Sequence, residues 1–403
     1  MSGPWLSIIG IGEDGLAGLG DVARKCLADA SFVIGGKRHL ALAKDAITGE
    51  QQSWPVPFAD ATAILLARRG QRVAVLASGD PFTFGVGNLL TVGLDRSEWQ
   101  VFPALSSFTL AAARLGWALQ DTDCLSLCGR PLETLAPALQ PCRRLLVLSA
   151  DAGTPAAVAA YLDQRGFGDS ALAVLEALGG PNERLRSTTA ARFDLVDVQP
   201  LNLIALELHA PSGTEVIPRS SGLHDALFEH DGQMTKREIR AVTLSSLAPR
   251  AGELLWDVGC GAGSIAIEWL LAHPANRAIG IEENAERAAR ARRNALKLGV
   301  PRLELVEGQA PAALANLPQP NAIFIGGGAH EPGLIEAAWS ALASGGRVVA
   351  NAVTLESEHA LVHAQGRRGG TLLRLDVARL DSIGTLHGFR PAMTVTQWLA
   401  VKP

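Results

Sequence analysis

One stretch of the chain restricts its fold more than any other: an apolar run that breaks into a glycine-rich turn and then becomes helical. The apolar run is Leu254 to Val258, the glycines are Gly259, Gly261 and Gly263, and the helical pattern is Ser264 to Leu271. Glycine has no side chain, so such a turn lets the backbone approach a bound molecule closely. A strand, a tight turn and a helix in this order predict the first unit of an open parallel sheet.

The next predicted strand has a carboxylate, Glu282, at its carboxyl end. A carboxylate at this position can accept hydrogen bonds from both hydroxyls of a ribose. The glycine spacing is G-x-G-x-G, not the G-x-G-x-x-G of dinucleotide sites, in which the pyrophosphate lies on a helix N-terminus. The spacing disfavours a nicotinamide-dependent dehydrogenase. For the glycines alone, a tight turn without any ligand stays an alternative.

Strand and helix patterns alternate through the rest of the second half, and this alternation predicts an α/β fold. Helical patterns start at Lys236, Ala285 and Pro332, and further strands at Leu303, Ala322 and Arg347. Two strands, Thr371 to Leu380 and Met393 to Val401, close the chain with an irregular loop between them. We expect them to form an antiparallel hairpin at the edge of a mostly parallel, seven-stranded sheet.

The first half has the same α/β alternation, with polar loops after three of its strands. The loops contain Gly10 and Gly12, then Gly79 and Asp80, then Ser106 and Ser107. Because the carboxyl ends of parallel strands meet at one sheet edge, these loops are expected to line a ligand site there. For any single loop, turn chemistry is the alternative explanation.

The chain has 403 residues, enough for two or three domains. We place one domain of two α/β lobes at 1–208 (about 1–104 and 105–208), a linker at 209–233, where the periodicity lapses, and a Rossmann-like domain at 234–403. A composition of 48% apolar and 19% charged residues is that of a globular protein. The formal net charge of −4 argues against a nucleic-acid partner.

Cysteine usage and the chain start exclude other classes. The five cysteines are too scattered for a disulfide framework, and the pair Cys124 and Cys128 lacks the further ligands of a metal site. We therefore predict no metal. The segment Met1 to Pro4 lacks the features of a signal peptide, and no apolar run reaches about 20 residues. The chain is expected to be cytoplasmic, without a membrane partner.

Three motifs of the second half resemble a known family. The glycine loop resembles the S-adenosylmethionine (AdoMet) loop of Rossmann-like methyltransferases. M-T-K-x-E-x-R at 234–240, D-x-G-C-G-x-G-S at 257–264 and F-I-G-G at 324–327 are similar to the decarboxylating precorrin methyltransferases of cobalamin synthesis. By its own chemistry, Thr235 would be the N-cap of a helix with Glu238 completing a capping box. The resemblance implies a cofactor-binding set of Thr235, Asp257, Gly259, Cys260, Gly261, Gly263, Glu282, Gln309 and Ala310. Of these, Glu282 would hold the ribose, Gln309 and Ala310 would border the adenine, and Thr235 would approach the cofactor.

The loops of the first half resemble the tetrapyrrole methyltransferase fold, and this implies a second AdoMet site at Gly10, Gly12, Gly79, Asp80, Ser106 and Ser107. The segments 35–40 and 127–132 are similar to the precorrin-6Y C5,15-methyltransferase (decarboxylating) family in its fused two-enzyme form, so the resemblance covers nearly the whole chain. Two positions depart from that family: Cys128, where histidine is frequent, and Glu13, where proline is frequent.

The resemblance implies a bifunctional enzyme that uses one AdoMet per domain. The C-terminal domain would methylate C15 of a precorrin-6 intermediate and decarboxylate its C12 acetate, and the N-terminal domain would methylate C5, giving precorrin-8. The catalytic residues are unknown. The candidates to bind the carboxylates of the tetrapyrrole are Lys37, Arg38, His39, Lys236, Arg237, Arg240 and His330. We also expect a homo-oligomer. The alternatives are a C-terminal RNA or protein methyltransferase fused to a tetrapyrrole-binding lobe, and a first half that binds tetrapyrrole without catalysis.

Overall fold

The computed structural model describes residues 3–403, so Met1 and Ser2, on which part of the signal-peptide prediction rests, lie outside it. The chain forms two compact units. The first comprises the residues up to Leu132 together with Gln140–Glu215, and the second comprises Glu133–Leu139 and Val216–Pro403. The predicted α/β class is confirmed in both units. No helix within residues 3–403 is long and apolar enough to span a membrane.

The first lobe of the first unit is a five-stranded parallel sheet in the order β3-β2-β4-β1-β5. Its strands are β1 (Leu6–Ile11), β2 (Phe32–Gly35), β3 (Glu50–Ser53), β4 (Val73–Ser78) and β5 (Trp99–Phe102), and its helices are α1 (Asp21–Ala28), α2 (Lys37–Ala43), α3 (Ala61–Leu66) and α4 (Gly87–Leu90). Every residue of β1 is buried, as expected for a central parallel strand covered on both faces.

The second lobe is a mixed sheet in the order β6-β7-β10-β8-β9, in which β6 and β7 are parallel and the other pairs are antiparallel. It contains α5 (Ser107–Leu115), β6 (Thr122–Ser126), β7 (Arg144–Leu148), α6 (Thr154–Gln164), β8 (Ala171–Glu176), β9 (Arg184–Thr189) and β10 (Asn202–Glu207). The sequence does not predict β9, because this edge strand is polar. Its Arg184 and Arg186 pair with the buried Glu176.

The second unit is built on a seven-stranded sheet in the order β13-β12-β11-β14-β15-β19-β16, and β19 runs antiparallel to its neighbours β15 and β16. Its helices are α7 (Arg237–Leu247), α8 (Ser264–Ala272), α9 (Ala285–Lys297), α10 (Leu334–Ala341) and α11 (Leu355–Arg368). Its strands are β11 (Leu254–Val258), β12 (Arg277–Glu282), β13 (Glu304–Glu307), β14 (Ala322–Ile325), β15 (Arg347–Ala352), β16 (Thr371–Leu375) and β19 (Val395–Val401). The apolar clusters on both faces explain why β11 and β14 are buried throughout.

Two local predictions for this unit are wrong. The predicted strand Thr371 to Leu380 ends at Leu375, and an antiparallel ribbon, β17 (Ala378–Ile383) and β18 (Leu386–Pro391), replaces its last residues and the irregular loop expected after them. The side chains of the ribbon are almost all exposed, so no buried face marks it in the sequence. Thr235 is also not the N-cap of α7. Lys236 occupies that position without a side-chain cap in the described structure, and the Thr235 carbonyl accepts a hydrogen bond from Arg240 instead.

The stretch 209–233, predicted as a linker, is divided between the two units. Residues up to Glu215 belong to the first unit and those from Val216 to the second. Four apolar side chains of this stretch are buried in the core of the second unit: Ile217, Leu223, Leu227 and Phe228. Turn-rich sequence therefore marks where the periodicity changes, whereas these four side chains decide which unit the segment packs on.

Candidate functional site

The second unit contains a cavity of about 870 Å³ at the carboxyl ends of β11, β12 and β14. Eight of the nine predicted cofactor-binding residues line it: Thr235, Asp257, Gly259, Cys260, Gly261, Glu282, Gln309 and Ala310. Gly263 does not line it. A Cβ on Gly263 would lie 3.0 Å from the Cβ of Ala291, so this glycine lets the loop pack against α9.

The glycine loop is shaped by left-handed backbone and by close approach of a neighbouring loop. Gly259 and Gly261 have φ angles of +71° and +55°, which side chains other than glycine rarely adopt. A Cβ on Gly259 would lie 3.3 Å from the backbone nitrogen of Gly327. Around Gly261, by contrast, the nearest atom to such a Cβ is 3.7 Å away. The loop therefore leaves backbone exposed to the cavity at Gly261.

Glu282 is 5% exposed and lies at the end of β12 against this loop. Its Oε2 accepts a hydrogen bond from the backbone N–H of Gly261 at 2.9 Å, and its Oε1 accepts one from Asn284 at 3.1 Å. A carboxylate has about four acceptor positions, so each oxygen can accept a further hydrogen bond. The carboxylate is thus held in place with capacity left for a pair of ligand hydroxyls.

Asp257, at the base of the same cavity, is 1% exposed. Its Oδ2 accepts a hydrogen bond from the Ala266 N–H at 3.0 Å, while its Oδ1 is buried without a hydrogen-bond partner among the described residues. Burial, together with the nearby negative charge of Glu282, raises the pKa of Asp257 to about 7. An unpartnered buried carboxylate is costly, and a cation bound in the cavity would compensate it. AdoMet carries an ammonium and a sulfonium, so these residues fit that cofactor.

Cys260 has a packing role. It is 7% exposed, and a Cβ on Gly280 of β12 would lie 2.9 Å from its Sγ. Burial raises the pKa of the Cys260 thiol, which opposes formation of a nucleophilic thiolate. The side chain fills the space that Gly280 leaves.

The predicted substrate-binding cations of this unit lie in different environments. Arg240 is 0% exposed and forms ion pairs with Glu268 and Asp225, so it supports the fold. Arg237 and His330 lie outside the cavity wall, where Arg237 donates to the Gly222 carbonyl and His330 contacts Ser357. Lys236 lines the cavity, and among residues 3–403 it has no carboxylate partner.

Several wall residues are absent from the sequence-based prediction. Arg379 lies in β17, Met393 lies between β18 and β19, and Asn351 lies near the end of β15. Arg379 forms a half-exposed ion pair with Glu238 of α7. Arg379 falls within the predicted strand Thr371 to Leu380, which the structure divides into β16 and β17, and it was not considered as a binding residue. Asn351 could have been found from the sequence, because it is a polar residue that directly follows the apolar run of β15.

The first unit contains a smaller cavity of about 320 Å³, lined by residues of both lobes. Gly12, Gly79, Asp80, Ser106 and Ser107 line it, as does Cys128. Gly10 lies behind the wall, where a Cβ would be 1.9 Å from the carbonyl oxygen of Gly79. The absence of a side chain at Gly10 therefore lets the end of β1 meet the loop after β4.

One wall of this cavity carries a chain of polar contacts. Arg38 forms an ion pair with Glu13, and the Ser78 hydroxyl contacts Arg38 Nη2 at 2.9 Å and His39 Nε2 at 2.8 Å. Burial, and then the positive charge of Arg38, lowers the pKa of His39 to about 4. His39 is therefore neutral near pH 7 and supplies no charge for a carboxylate. Lys37 is exposed and lies outside the cavity wall.

Comparisons with known proteins cover both units. A family described as "Tetrapyrrole (Corrin/Porphyrin) Methylases" matches residues 6–194, and one described as "Precorrin methyltransferase domain" matches residues 226–402. A relative from Sinorhizobium sp named precorrin-6Y C(5,15)-methyltransferase (decarboxylating) is 56% identical over 395 residues, 98% of this chain and 96% of the relative. A relative of the same name from Mycobacterium tuberculosis (strain CDC 1551 / Oshkosh) is 42% identical over 398 residues, 98% of this chain and 99% of the relative.

Among solved structures, the C-terminal domain of precorrin-6Y C5,15-methyltransferase from Rhodobacter capsulatus is 46% identical, with a TM-score of 0.44, over 46% of this chain and 100% of that one. These relatives do not favour the alternative of an RNA or protein methyltransferase. Because the Sinorhizobium relative is 56% identical over 98% of this chain and 96% of its own length, the chain belongs to the family of decarboxylating precorrin-6Y C5,15-methyltransferases.

Proposed function

We propose that the chain is a bifunctional AdoMet-dependent methyltransferase of cobalamin biosynthesis. It methylates C5 and C15 of a precorrin-6 intermediate and removes the carboxyl group of the C12 acetate, giving precorrin-8. The observation that carries this proposal is the alignment of both units, each with its own cavity, to one relative named for this pair of methylations and a decarboxylation. In this assignment the first unit methylates C5, and the second methylates C15 and decarboxylates.

Each unit would hold one AdoMet, which supplies an activated methyl group. In the second unit, Glu282 would accept hydrogen bonds from the ribose hydroxyls, and Asp257 would offset a positive charge of the cofactor. Gln309 and Ala310 would border the adenine. The backbone at Gly261 lies in the cavity wall, where glycine permits close approach.

In the first unit, the three loops after β1, β4 and β5 would hold the other AdoMet. Asp80 is held by the backbone N–H of Phe82 and the hydroxyl of Thr83, and Ser106 caps α5 by accepting from the Thr109 N–H. Both side chains therefore fix the loops that carry them. The backbone groups of these loops would make most of the contacts to the cofactor.

The tetrapyrrole carries several carboxylates, and the wall of the second cavity carries three cations, Lys236, Arg287 and Arg379. Arg287 is paired with Asp231. Lys236 has no carboxylate partner within residues 3–403, and Arg379 is held by the exposed Glu238, from which a substrate carboxylate could take it. Methyl transfer from a sulfonium to an electron-rich ring carbon requires mainly alignment and exclusion of water. A strong general base is therefore not needed at the attacking carbon.

The proposal is tested by incubating the full chain with the precorrin-6 intermediate and AdoMet and measuring the mass of the tetrapyrrole product by mass spectrometry. We expect the gain of two methyl groups and the loss of one carbon dioxide. Glu282→Ala should lower the AdoMet affinity of the second unit about 10- to 100-fold, since it removes charge-assisted hydrogen bonds. At an AdoMet concentration below the Kd of this weakened site, the product should then gain one methyl group and keep its carboxyl.

The matched control is Glu304→Ala, which removes an exposed carboxylate paired with Arg277 outside the cavity. It should leave both methylations unchanged. Wild-type chain that binds AdoMet but leaves the mass of the tetrapyrrole unchanged would overturn the proposed reaction. Glu282→Ala that still gains both methyl groups at the normal rate would overturn the ribose assignment.

A further inference from the structure

A network of side-chain hydrogen bonds lies behind the cavity of the second unit. It joins α7, β15 and β19 through Thr243, Asn351 and Gln397, with Ser246 at its far end. Thr243 and Gln397 are 0% and 2% exposed. Of these four residues, Asn351 alone lines the cavity. Buried polar networks are costly unless every member is satisfied, so the contacts of this one determine what Asn351 offers to a ligand.

The hydroxyl of Thr243 sets the orientation of both amides. Asn351 Nδ2 donates to Thr243 Oγ1 at 2.9 Å, and Gln397 Nε2 donates to the same oxygen at 3.2 Å. A hydroxyl has two acceptor positions but only one proton, so it can accept both N–H groups and could not donate to two amide oxygens. Rotating both amides by half a turn would leave one oxygen without a donor.

The remaining contacts agree with this orientation. Gln397 Nε2 also donates to Asn351 Oδ1 at 2.9 Å, and Ser246 Oγ donates to Gln397 Oε1 at 2.7 Å. Asn351 thus uses its oxygen and one N–H within the network. Its second N–H is the donor left for a bound molecule. A buried carbonyl oxygen that accepts one hydrogen bond instead of two loses little free energy, whereas a buried N–H without an acceptor is rarely tolerated.

We propose that Asn351 is a substrate-binding residue that donates a hydrogen bond to a side-chain carboxylate of the tetrapyrrole, and that Thr243 holds its amide in position. This inference rests on the proposed function of the second unit. Lys236 and Arg379 supply charge from flexible side chains, which attracts a carboxylate without fixing its direction. An amide locked by two neighbours supplies the direction, and so fixes which part of the macrocycle faces the reacting carbon.

The test uses the full chain, AdoMet and the precorrin-6 intermediate, with carbon dioxide release as the readout. Asn351→Ala should raise the KM for the tetrapyrrole about 10- to 100-fold, as expected for a lost hydrogen bond to a charged group. Asn351→Asp should raise it further, because it places a negative charge against a carboxylate. The affinity for AdoMet, measured by calorimetry, should be unchanged in both and verifies that the cavity is folded.

Thr243 is tested by a conservative pair. Thr243→Val removes the hydroxyl and should raise the KM, whereas Thr243→Ser keeps it and should restore the wild-type KM. The matched control is Gln365→Ala, which removes an amide of α11 that does not line the cavity; its KM should equal that of wild type.

The outcomes separate this inference from the proposed function. Wild-type chain that releases no carbon dioxide overturns the proposed function and this inference with it. Wild-type activity with an unchanged KM in Asn351→Ala overturns the inference alone. An Asn351→Ala variant that loses AdoMet affinity in parallel also overturns it, because the residue would then serve the cofactor. Equal KM values for Thr243→Val and Thr243→Ser would refute the positioning role.

Discussion

The buried carboxylate of Asp257 makes the AdoMet affinity of the second unit depend on pH. Its pKa is raised from an ordinary 3.8 to about 7, first by burial and then by the charge of Glu282. At about 1.4 kcal/mol per pKa unit, this shift opposes ionisation by about 4 kcal/mol. A cationic cofactor beside Oδ1 would favour the ionised form, so binding should release a proton wherever Asp257 is protonated in the free protein.

The magnitude follows from the pKa. Near pH 6 Asp257 is about nine-tenths protonated and near pH 8 about one-tenth. The AdoMet affinity of wild type, divided by that of Asp257→Asn, should therefore rise about tenfold between these pH values. AdoMet's own titration and its binding to the first unit are common to both proteins and cancel in this ratio. Asparagine keeps an oxygen to accept from the Ala266 N–H, so the loop should retain its shape.

Titration calorimetry in buffers of different ionisation enthalpy provides the assay. Near pH 6 wild type should release about 0.9 proton more per second-unit site than Asp257→Asn, and near pH 8 about 0.1. The reasoning is refuted if the affinity ratio is the same at both pH values. It is also refuted if the two proteins release equal numbers of protons, since Asp257 would then not ionise on binding.

Three further predictions concern single residues. Arg240→Ala should lower the free energy of unfolding of the second unit by about 3–5 kcal/mol, because it leaves Glu268 buried without its cation; an unchanged denaturation midpoint would contradict this. Gly79→Ala should abolish one methyl transfer and spare decarboxylation, because its φ is +54° and a Cβ would lie 2.9 Å from the Leu105 carbonyl oxygen. The control Gly93→Ala, with φ +79° and open space around it, should spare both transfers, as mass spectrometry would show. His39 has a pKa lowered to about 4, so the stability of the first unit should fall as pH drops from about 6.5 to about 4, where only the unfolded chain takes up that proton. Denaturation of His39→Gln at both pH values should show a smaller fall, and an equal fall would refute it.

Most sheet strands and their loops could be predicted from the sequence because burial and turn chemistry act locally. Fully buried strands such as β1 and β11 form apolar runs, and the residues after them are glycine or polar. Edge elements carry no such signal. The strand β9 and the ribbon are polar or exposed, so their pairing depends on neighbours that are distant in sequence.

Residue roles were less predictable than residue positions. Lys236 and Arg240 lie four residues apart on one motif, yet one lines the cavity and the other is enclosed by Glu268 and Asp225. Only packing separates these cases, because both side chains carry the same charge and belong to the same motif. Burial and the positive charge of Arg38 likewise make His39 neutral, so it adds no charge to the basic segment in which it lies.

The distribution of charge in the second cavity follows from the two molecules it would bind. A cationic cofactor and a polycarboxylate substrate require opposite charges in one space, and a uniformly charged wall would repel one of them. Here the buried carboxylates Asp257 and Glu282 come from the ends of β11 and β12, whereas the cations Lys236, Arg287 and Arg379 come from the start of α7, from α9 and from the ribbon. Because the formal net charge of the whole chain is −4, attraction of the substrate must come from these local cations. Raising the salt concentration should therefore weaken tetrapyrrole binding more than AdoMet binding, since Asp257 and Glu282 are buried and screened less.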